Sequence, residues 1–511
     1  METNLIQPQQ RPPAIAPIGL LAAAVFMIGV LRFAWISDDA FIAAKAVANF
    51  IDGHGLVINQ GYRVQAYTSP LFTLLDIPTQ AIARGPYFGL MILGLLCCIA
   101  FCTVLLRAFR QQPWIAIAVL AVATASPIFL AYCTSGLENP LAHALVAACV
   151  LRMARWKRDE PDWIFFLLSA LLALTRFDLG ILVLPGLVRM AALSPRKAIR
   201  KGIAAFSPLW LWLMGATVYY GFPWPNTAYA KLNTVIPLKQ KLLQGLSYLA
   251  DAAYRDPVLA LVVFGGIFVG LNMRGPIATK LVPLGCLAYL VYAINIGGDF
   301  MAGRFLTVPF VAILLHFAAN LGNEPPLRLL QGATVVALLF SMRHFNEHRV
   351  VSPGECYVTN IGIVDERACY VESTGLVQNL RYSTWRNHGY VTDYTKAVER
   401  TEGNVIVYDL VGLVGFAETR PMHIVERFAL SEPLLARLPF VAKNNDWRPG
   451  HYFRELPDGY LETLRSGKNL IKKKCVRALY EDLNAIITGP LWSFHRWKRI
   501  ASLNFAPPRC R

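Results

Sequence analysis

Apolar residues in this chain come in long runs, not in the alternating or one-sided patterns of soluble strands and helices. The runs fall at about 17–35, 86–107, 114–132, 140–154, 163–189, 203–221, 256–273, 281–297, 304–320 and 326–341. At 1.5 Å per helical residue, most approach the ~30 Å thickness of a bilayer's hydrocarbon core. No small-residue cleavage site follows the first run, so it reads as a retained span. Basic residues collect in the short connectors: Arg107 and Arg110; Arg152, Arg155, Lys157 and Arg158; Arg189, Arg196, Lys197, Arg200 and Lys201; Arg274 and Lys280. The positive-inside bias places these on the cytoplasmic face. The 163–189 run then has basic residues at both ends, so it must enter the membrane and return. Its centre reads Leu174-Thr175-Arg176-Phe177-Asp178, a charged pair that costs several kcal/mol unless it lines a polar cavity. It is read as two half-spans meeting at Thr175–Asp178. The pattern predicts a polytopic α-helical membrane protein with about eleven membrane segments in residues 1–341 and a cytoplasmic N-terminus. Residues 342–511 are predicted to form an outward-facing mixed α/β domain, with β-like runs such as Asn404–Tyr408.

Composition agrees with this picture. Of 511 residues, 55% are hydrophobic and only 16% charged, too few charges for a soluble chain of this size. The net charge of +17 would point to nucleic acid in a soluble protein; here the connectors account for it and no nucleic-acid partner is expected. Cys97, Cys98, Cys102, Cys149 and Cys286 lie in apolar runs and read as small hydrophobes. Cys356 with Cys369, and Cys475 with Cys510, are candidate disulfides on the outward side.

The polar, motif-like stretches 36–69, 134–139, 175–180, 222–232 and 297–304 all fall on that same outward face. Ser37 is placed to cap a helix ending near Gly53, whose apolar stripe of Phe41, Ala44, Val47, Ala48 and Ile51 predicts that it lies flat at the membrane interface. Asp38 and Asp39 fall in its first turn. They either favour the helix dipole and pair with Lys45, or form a mutually repelling pair used for proton transfer; Arg176 and Asp178 nearby favour the second reading. Gly53-His54-Gly55 and Asn59-Gln60-Gly61 carry turn chemistry, with His54 a loop hydrogen-bonding residue, and Pro225-Asn226-Thr227 reads as a further turn. Glu138 is a helix-end charge or a site residue. Asp299 and Arg304 flank paired and single glycines and form an ion pair compatible with a role. Arg176, Lys231 and Arg304 make a positive lining for an anion at the membrane surface, and the natural anion there is a lipid phosphate. No metal-ligand spacing, phosphate-binding glycine loop, dinucleotide fingerprint or Ser-His-Asp pattern occurs, and a lipid-linked substrate fits better than a nucleotide.

Trp35-Ile36-Ser37-Asp38-Asp39-Ala40-Phe41, Gly53-His54-Gly55-Leu56-Val57 and Arg63-Val64 through Tyr67-Thr68-Ser69-Pro70-Leu71 resemble the first outer loop of membrane glycosyltransferases of the GT-C superfamily. Within it they resemble the terminal arabinofuranosyltransferases of actinobacterial cell-wall arabinan and their type IV pilin-modifying relatives. Gly136-Leu137-Glu138, Thr175–Asp178, Pro225-Asn226-Thr227 with Lys231, and Gly298-Asp299 with Arg304 look like later blocks of that family. Asp365–Ala368, Leu434–Pro439, Trp447–His451 and Pro457–Tyr460 follow in the same order.

The resemblance implies a GT-C fold and transfer of arabinofuranose from a polyprenyl-phosphate donor to a periplasmic glycan, pilin or protein hydroxyl, at a site facing the periplasm on the bacterial inner membrane. It implies an inverting single displacement with no metal or cofactor. Asp38 or Asp39 would take the acceptor proton, while Arg304, Lys231 or Arg176 would stabilise the departing lipid phosphate. His54, Glu138, Asp178, Asp299, Tyr67 and His451 are the candidate substrate contacts. The chain departs from the family pattern at Lys45 (arginine expected), Tyr62 and Gln65 (glutamates) and Phe177 (proline), which bears on donor-head or acceptor contacts. Trp385, Tyr390, Trp447, His451 and Tyr452 are candidate sugar-stacking rings, with core packing the commoner use of such residues. The competing readings are the same fold moving another lipid-linked sugar, aminoarabinose or mannose, and a polyprenyl-sugar transporter without chemistry; the chain shows no internal repeat of the transporter kind.

Overall fold

The structure is a computed structural model that describes residues 17–156, 160–232, 234–320, 358–440, 447–506 and Cys510. It is mostly helical. Proline opens many of the helices, at Pro70, Pro86, Pro113, Pro127, Pro195 and Pro257, where a first-turn residue has no amide bond to lose. Pro86–Ala108 and Ile277–Asn295 are long and apolar enough to cross a membrane. Pro195–Ala205 and Ser207–Tyr220 reach that length only as a pair bent by 51°. Shorter apolar helices include Pro17–Phe33, Pro113–Thr124, Asn139–Ala154, Trp163–Thr175 and Arg304–Asn320. Two clear spans thus stand where about eleven were expected; the others are shorter or broken, and the 326–341 run lies outside the described residues.

The 163–189 run is broken where its central charges predict. The Trp163–Thr175 helix ends, Arg176 is extended at φ −156°, and a short 3-10 turn leads into Gly180–Leu193. The helix after the first run is also where expected, at Asp38–Ile51, with the Ser37 side chain accepting from the Ala40 amide. Of its apolar stripe, Phe41, Ala44 and Val47 are fully buried, with Phe41 stacked on Trp385 at 5.2 Å and Val47 packed among Leu56, Tyr67 and Tyr220, while Ile51 is exposed.

The expected boundary at 341/342 lies outside the described residues, as does Cys356. Of β structure in the C-terminal region, one parallel pair is described, β1 (Val405–Val407) beside β2 (His423–Val425). Cys475 and Cys510 are joined, and Cys97, Cys98, Cys102, Cys149 and Cys286 are buried thiols. Backbone bonds stitch this region to the N-terminal loops. The Leu376 amide donates to Ala34 at 3.0 Å, Val364 exchanges bonds with Phe300 and Ala302 at 2.8 and 3.0 Å, and Asn59 pairs through its side chain with Ile424 at 3.1 Å in both directions.

A buried carboxylate holds the floor beneath these loops. Asp256 accepts from the Ser126 hydroxyl at 2.5 Å and from the Ile128 and Leu259 amides at 3.1 and 2.9 Å. Asp256→Ala leaves those donors unmatched in an apolar setting and is expected to destabilise the protein by about 3 kcal/mol. The check is the thermal midpoint of the purified protein in detergent, which should fall clearly while Asp251→Ala, a partly exposed i,i+4 pair with Arg255, changes it little.

Candidate active site

Asp38 and Asp39 open one helix and meet different surroundings, since successive helical residues project about 100° apart. Asp38 turns inward and is 6% exposed. Its Oδ1 accepts from the Leu413 amide at 2.8 Å. Gly412 allows that approach: a Cβ there would lie 2.1 Å from the Asp38 carbonyl oxygen. Burial pushes the Asp38 carboxyl up to about 7, with the Leu413 amide opposing and the Asp39 charge adding. Asp39 is half-buried and accepts no hydrogen bond among the described residues. Burial raises it too; Lys231 and Arg304 pull it down, and Asp299 and Glu138 push it up.

The outward-loop charges converge as a lattice. Glu138 Oε1 accepts from Arg304 Nη2 at 2.9 Å and lies 3.5 Å from Arg176 Nη1. Arg176 grips Asp178 through Nε at 3.0 Å and Nη2 at 2.5 Å, and the Tyr289 hydroxyl donates to Asp178 at 3.1 Å. Arg304 Nη1 is 3.7 Å from Asp299 Oδ2, while Asp299 Oδ1 accepts from the Phe300 amide at 2.9 Å. Arg176 and Arg304, two of the three expected lining cations, are therefore paired with carboxylates. Lys231 keeps its charge free: it is exposed and lacks a carboxylate partner among the described residues. Its Nζ and the Phe300 ring flank Gly450.

The sequence reading missed two residues, both inside blocks it had quoted. Glu366, 8% exposed, enters the Glu366–Thr374 helix behind its cap Asp365. The pairing of Val364 with Phe300 and Ala302 sets it between Asp299 and the acid pair. Burial holds its carboxyl well above the usual carboxylate range, with Asp39, Asp38 and Asp299 adding and Arg448 opposing. Arg448, lodged against Phe300 at 5.8 Å, faces Glu366, Tyr370, Tyr390 and Asp39 and has no salt bridge among the described residues. An adjacent acidic pair at a helix start and an arginine in a Trp-Arg-Pro-Gly turn were the signals available.

His54 and Tyr67 do not join the cluster. His54 is exposed beyond the far end of the Asp38–Ile51 helix, roughly 20 Å along its axis from Asp39. Tyr67 is core, its hydroxyl 2.7 Å from that of Tyr220 and its ring packed on Trp212. His451 does reach the neighbourhood, its ring 4.3 Å from Phe300 and 5.0 Å from Phe428. Burial, with Arg448 and Lys231 beside it, drives His451 down to about 3, so it is neutral at pH 7. Lys45 lies 5.4 Å from the Phe416 ring and makes no pair with the acids. Of the ring candidates, Trp385 and Tyr452 are core, whereas Trp447 and His451 line a cleft of about 1190 Å³. Gln240, Gln244, Phe428 and Arg448 also line it. Asn226 and Arg437 are structural: Asn226 ties Gln65 to Ala429 and Leu430, and Arg437 sits between the Phe222 and Tyr229 rings. Among the described residues, no group of three or more His, Cys, Asp or Glu side chains is arranged to hold a metal ion.

A half-buried carboxylate, a sealed neighbour and, among the described residues, two cations without a carboxylate partner form a set suited to deprotonating a hydroxyl beside an anion. No protein-family model and no solved structure matches the chain. It is 27% identical over 463 residues to a terminal beta-(1->2)-arabinofuranosyltransferase of Mycobacterium tuberculosis, covering 77% of this chain and 72% of that protein. It is 28% identical over 397 residues to the protein of the same name from Corynebacterium glutamicum, covering 66% of this chain and 56% of that one. The chain is thus a relative of the actinobacterial arabinofuranosyltransferases.

Proposed function

We propose that this protein is a membrane glycosyltransferase that moves arabinofuranose from a polyprenyl-phosphate donor to an acceptor hydroxyl on the periplasmic side of the bacterial inner membrane. The transferase class is supported by the names of its two relatives. The observation that carries the mechanism is Asp39, a carboxylate without a hydrogen bond, raised in pKa and within the field of a free Lys231.

In this reading the acceptor oxygen attacks the anomeric carbon as the bond from that carbon to the phosphate oxygen breaks, inverting the centre. The hydroxyl proton passes to Asp39, and the bonding pair leaves on the phosphate. Asp39 is the base because Asp38 is turned inward and tied to Leu413. Lys231 and Arg448 meet the growing phosphate charge, the term that commonly lowers such barriers most. Arg304 and Arg176 act through Glu138, Asp299 and Asp178, fixing the loops that surround the reacting atoms. Trp447, Gln240 and Gln244 offer a ring and amides for sugar hydroxyls in the cleft, with an acceptor glycan or protein as partner. The reading assigns no step to a metal or cofactor. Another lipid-linked sugar would require different contacts in this cleft; a transporter would need no base.

Purified protein in nanodiscs, a short-chain polyprenyl-phosphate arabinofuranose and an arabinoside acceptor provide the test, with product read by mass spectrometry. Asp39→Asn is expected to lower kcat by a factor of about 10² or more at every pH. Donor binding that survives with transfer lost favours the enzyme over the transporter. Asp38→Asn keeps an oxygen for the Leu413 amide and copies the neutral form that burial favours, so it should retain measurable transfer with the acid limb of kcat/KM little moved. In the unaltered protein that limb should lie above the usual carboxylate range, because Asp39 gains a proton as pH falls through its raised pKa. Equal loss in both variants would overturn the assignment.

Glu366→Gln copies the neutral acid that burial favours, and it should keep transfer within about threefold, in contrast to the same exchange at Asp39. Lys231→Ala and Arg448→Ala should each lower kcat by a factor of about 10², with smaller changes in KM. Loss confined to KM would limit these residues to binding the donor's ground state.

A further inference from the structure

The C-terminal region exposes two patches of large apolar side chains, and each sits where that region is fastened to the end of an apolar helix. The first belongs to the Lys474–Thr488 and Phe494–Phe505 helices. Their inner faces pack together through Leu479, Leu483, Ile486, Ile500 and Leu503. The pair is seated on the end of the Ser207–Tyr220 helix: Arg496 Nη2 donates to the Tyr219 carbonyl at 3.0 Å, and Asn504 Nδ2 to that of Gly221 at 2.9 Å. Gly221, at φ +86°, lies so close beneath that a Cβ would meet Ile486 at 2.2 Å. On the outer face, Phe494, Lys498 and Phe505 follow at i, i+4 and i+11, with Trp492 just before them. Trp492, Phe494 and Phe505 are 77%, 84% and 90% exposed. The helix on which they sit turns Trp210, Leu211 and Met214 outward, so the exposed aromatics continue an apolar belt at its end.

The second patch is the Leu376–Tyr382 helix, with Val377, Leu380 and Tyr382 outward and Arg381 beside them. Its first amide donates to the Ala34 carbonyl at 3.0 Å, at the end of Pro17–Phe33, whose Leu20, Leu21, Val25 and Ile28 are likewise outward. Aromatic and aliphatic side chains with lysine or arginine at the end of a lipid-facing helix match the chemistry of the bilayer interface, not of open water. The Cys475–Cys510 bond draws the exposed Lys472–Lys474 run toward the end of the helix that bears Phe505, adding charge complementary to anionic headgroups.

We infer that these two patches are feet by which the C-terminal region rests in the headgroup layer of the leaflet on its own side, with anionic phospholipid as the occupant. The segment between them along the chain carries Gly412 and Leu413, which close over Asp38. Seating at two points fixes the height and tilt of that cover relative to the acid pair. The inference requires a membrane protein and is independent of the sugar transferred.

The test places single cysteines in the full chain at Phe494 and Leu380, labels them with NBD, and reconstitutes the protein in nanodiscs of phosphatidylglycerol and phosphatidylethanolamine. Glu418→Cys, at an exposed acidic position, is the aqueous control. NBD at 494 and at 380 should emit blue-shifted and be quenched about twofold or more by lipid carrying a shallow nitroxide, while NBD at 418 is not. Water-like emission at both patches overturns the inference. So does blue-shifted emission without lipid quenching, which would mean a protein partner or a second copy covers them, and so does quenching at only one. Phe505→Cys supplies a second reading of the first foot if Phe494→Cys folds poorly.

Discussion

The site depends on closing a buried acid pair with chain from far away in sequence. Asp38 cannot sit at 6% exposure without a donor, and its donor is the amide of Leu413, 375 residues on. One neutral bond of this kind contributes only about 1 kcal/mol net, but leaving a buried carboxyl unmatched costs more. The closure is therefore supported by further backbone stitches, Ala34 to Leu376 and Phe300–Ala302 to Val364, which hold the same region down on either side. Site and docking are one event: chain that failed to dock would leave Asp38 to water and Glu366 elsewhere.

The same constraint sorts the cations. A guanidinium among apolar helix ends needs acceptors at hand, and for Arg176 and Arg304 these include the carboxylates of Asp178, Glu138 and Asp299. That lattice leaves little net positive charge for a substrate. Charge available for an incoming anion comes from Lys231, exposed at the end of a short, otherwise largely buried helix, and Arg448, in a half-buried turn. A fixed lattice that shapes and free cations that bind are consequences of where each residue sits relative to water.

Local features were legible in the sequence. The Ser37 cap, the break at Thr175–Arg176 and the gathering of Glu138, Asp178, Asp299 and Arg304 follow from capping chemistry and the cost of charge in an apolar run. What failed was everything that depends on tertiary distance. His54 and Tyr67 share a motif-rich loop with Asp39, but a fourteen-residue helix and a core tyrosine pair separate them from it. The Phe41–Ile51 stripe is apolar as read, yet an apolar stripe does not distinguish lipid from protein: Trp385 covers Phe41 at its start, whereas Ile51 is exposed. Arg448 and Glu366 could not be ranked, because their partners lie in other loops and only packing makes them neighbours. Hydropathy measures apolar length, whereas helix breaks at prolines and charges decide continuity, so among the described residues only two helices reach spanning length unbroken.

Two adjacent aspartates also need not be two copies of one function. At the first turn of a helix, one step of about 100° separates their directions, so a wall that covers one leaves the other less buried. Once Leu413 covers Asp38, burial favours its neutral form, and a proton kept there relieves Asp39 of the repulsion that would oppose its ionisation. Asp39 can then be charged, open and near Lys231 at the same pH. Reversing the order of inward and outward positions would seal the base and expose its partner. The division of roles thus follows from the helix start fixed by Ser37, and moving that start by one residue would be enough to undo it.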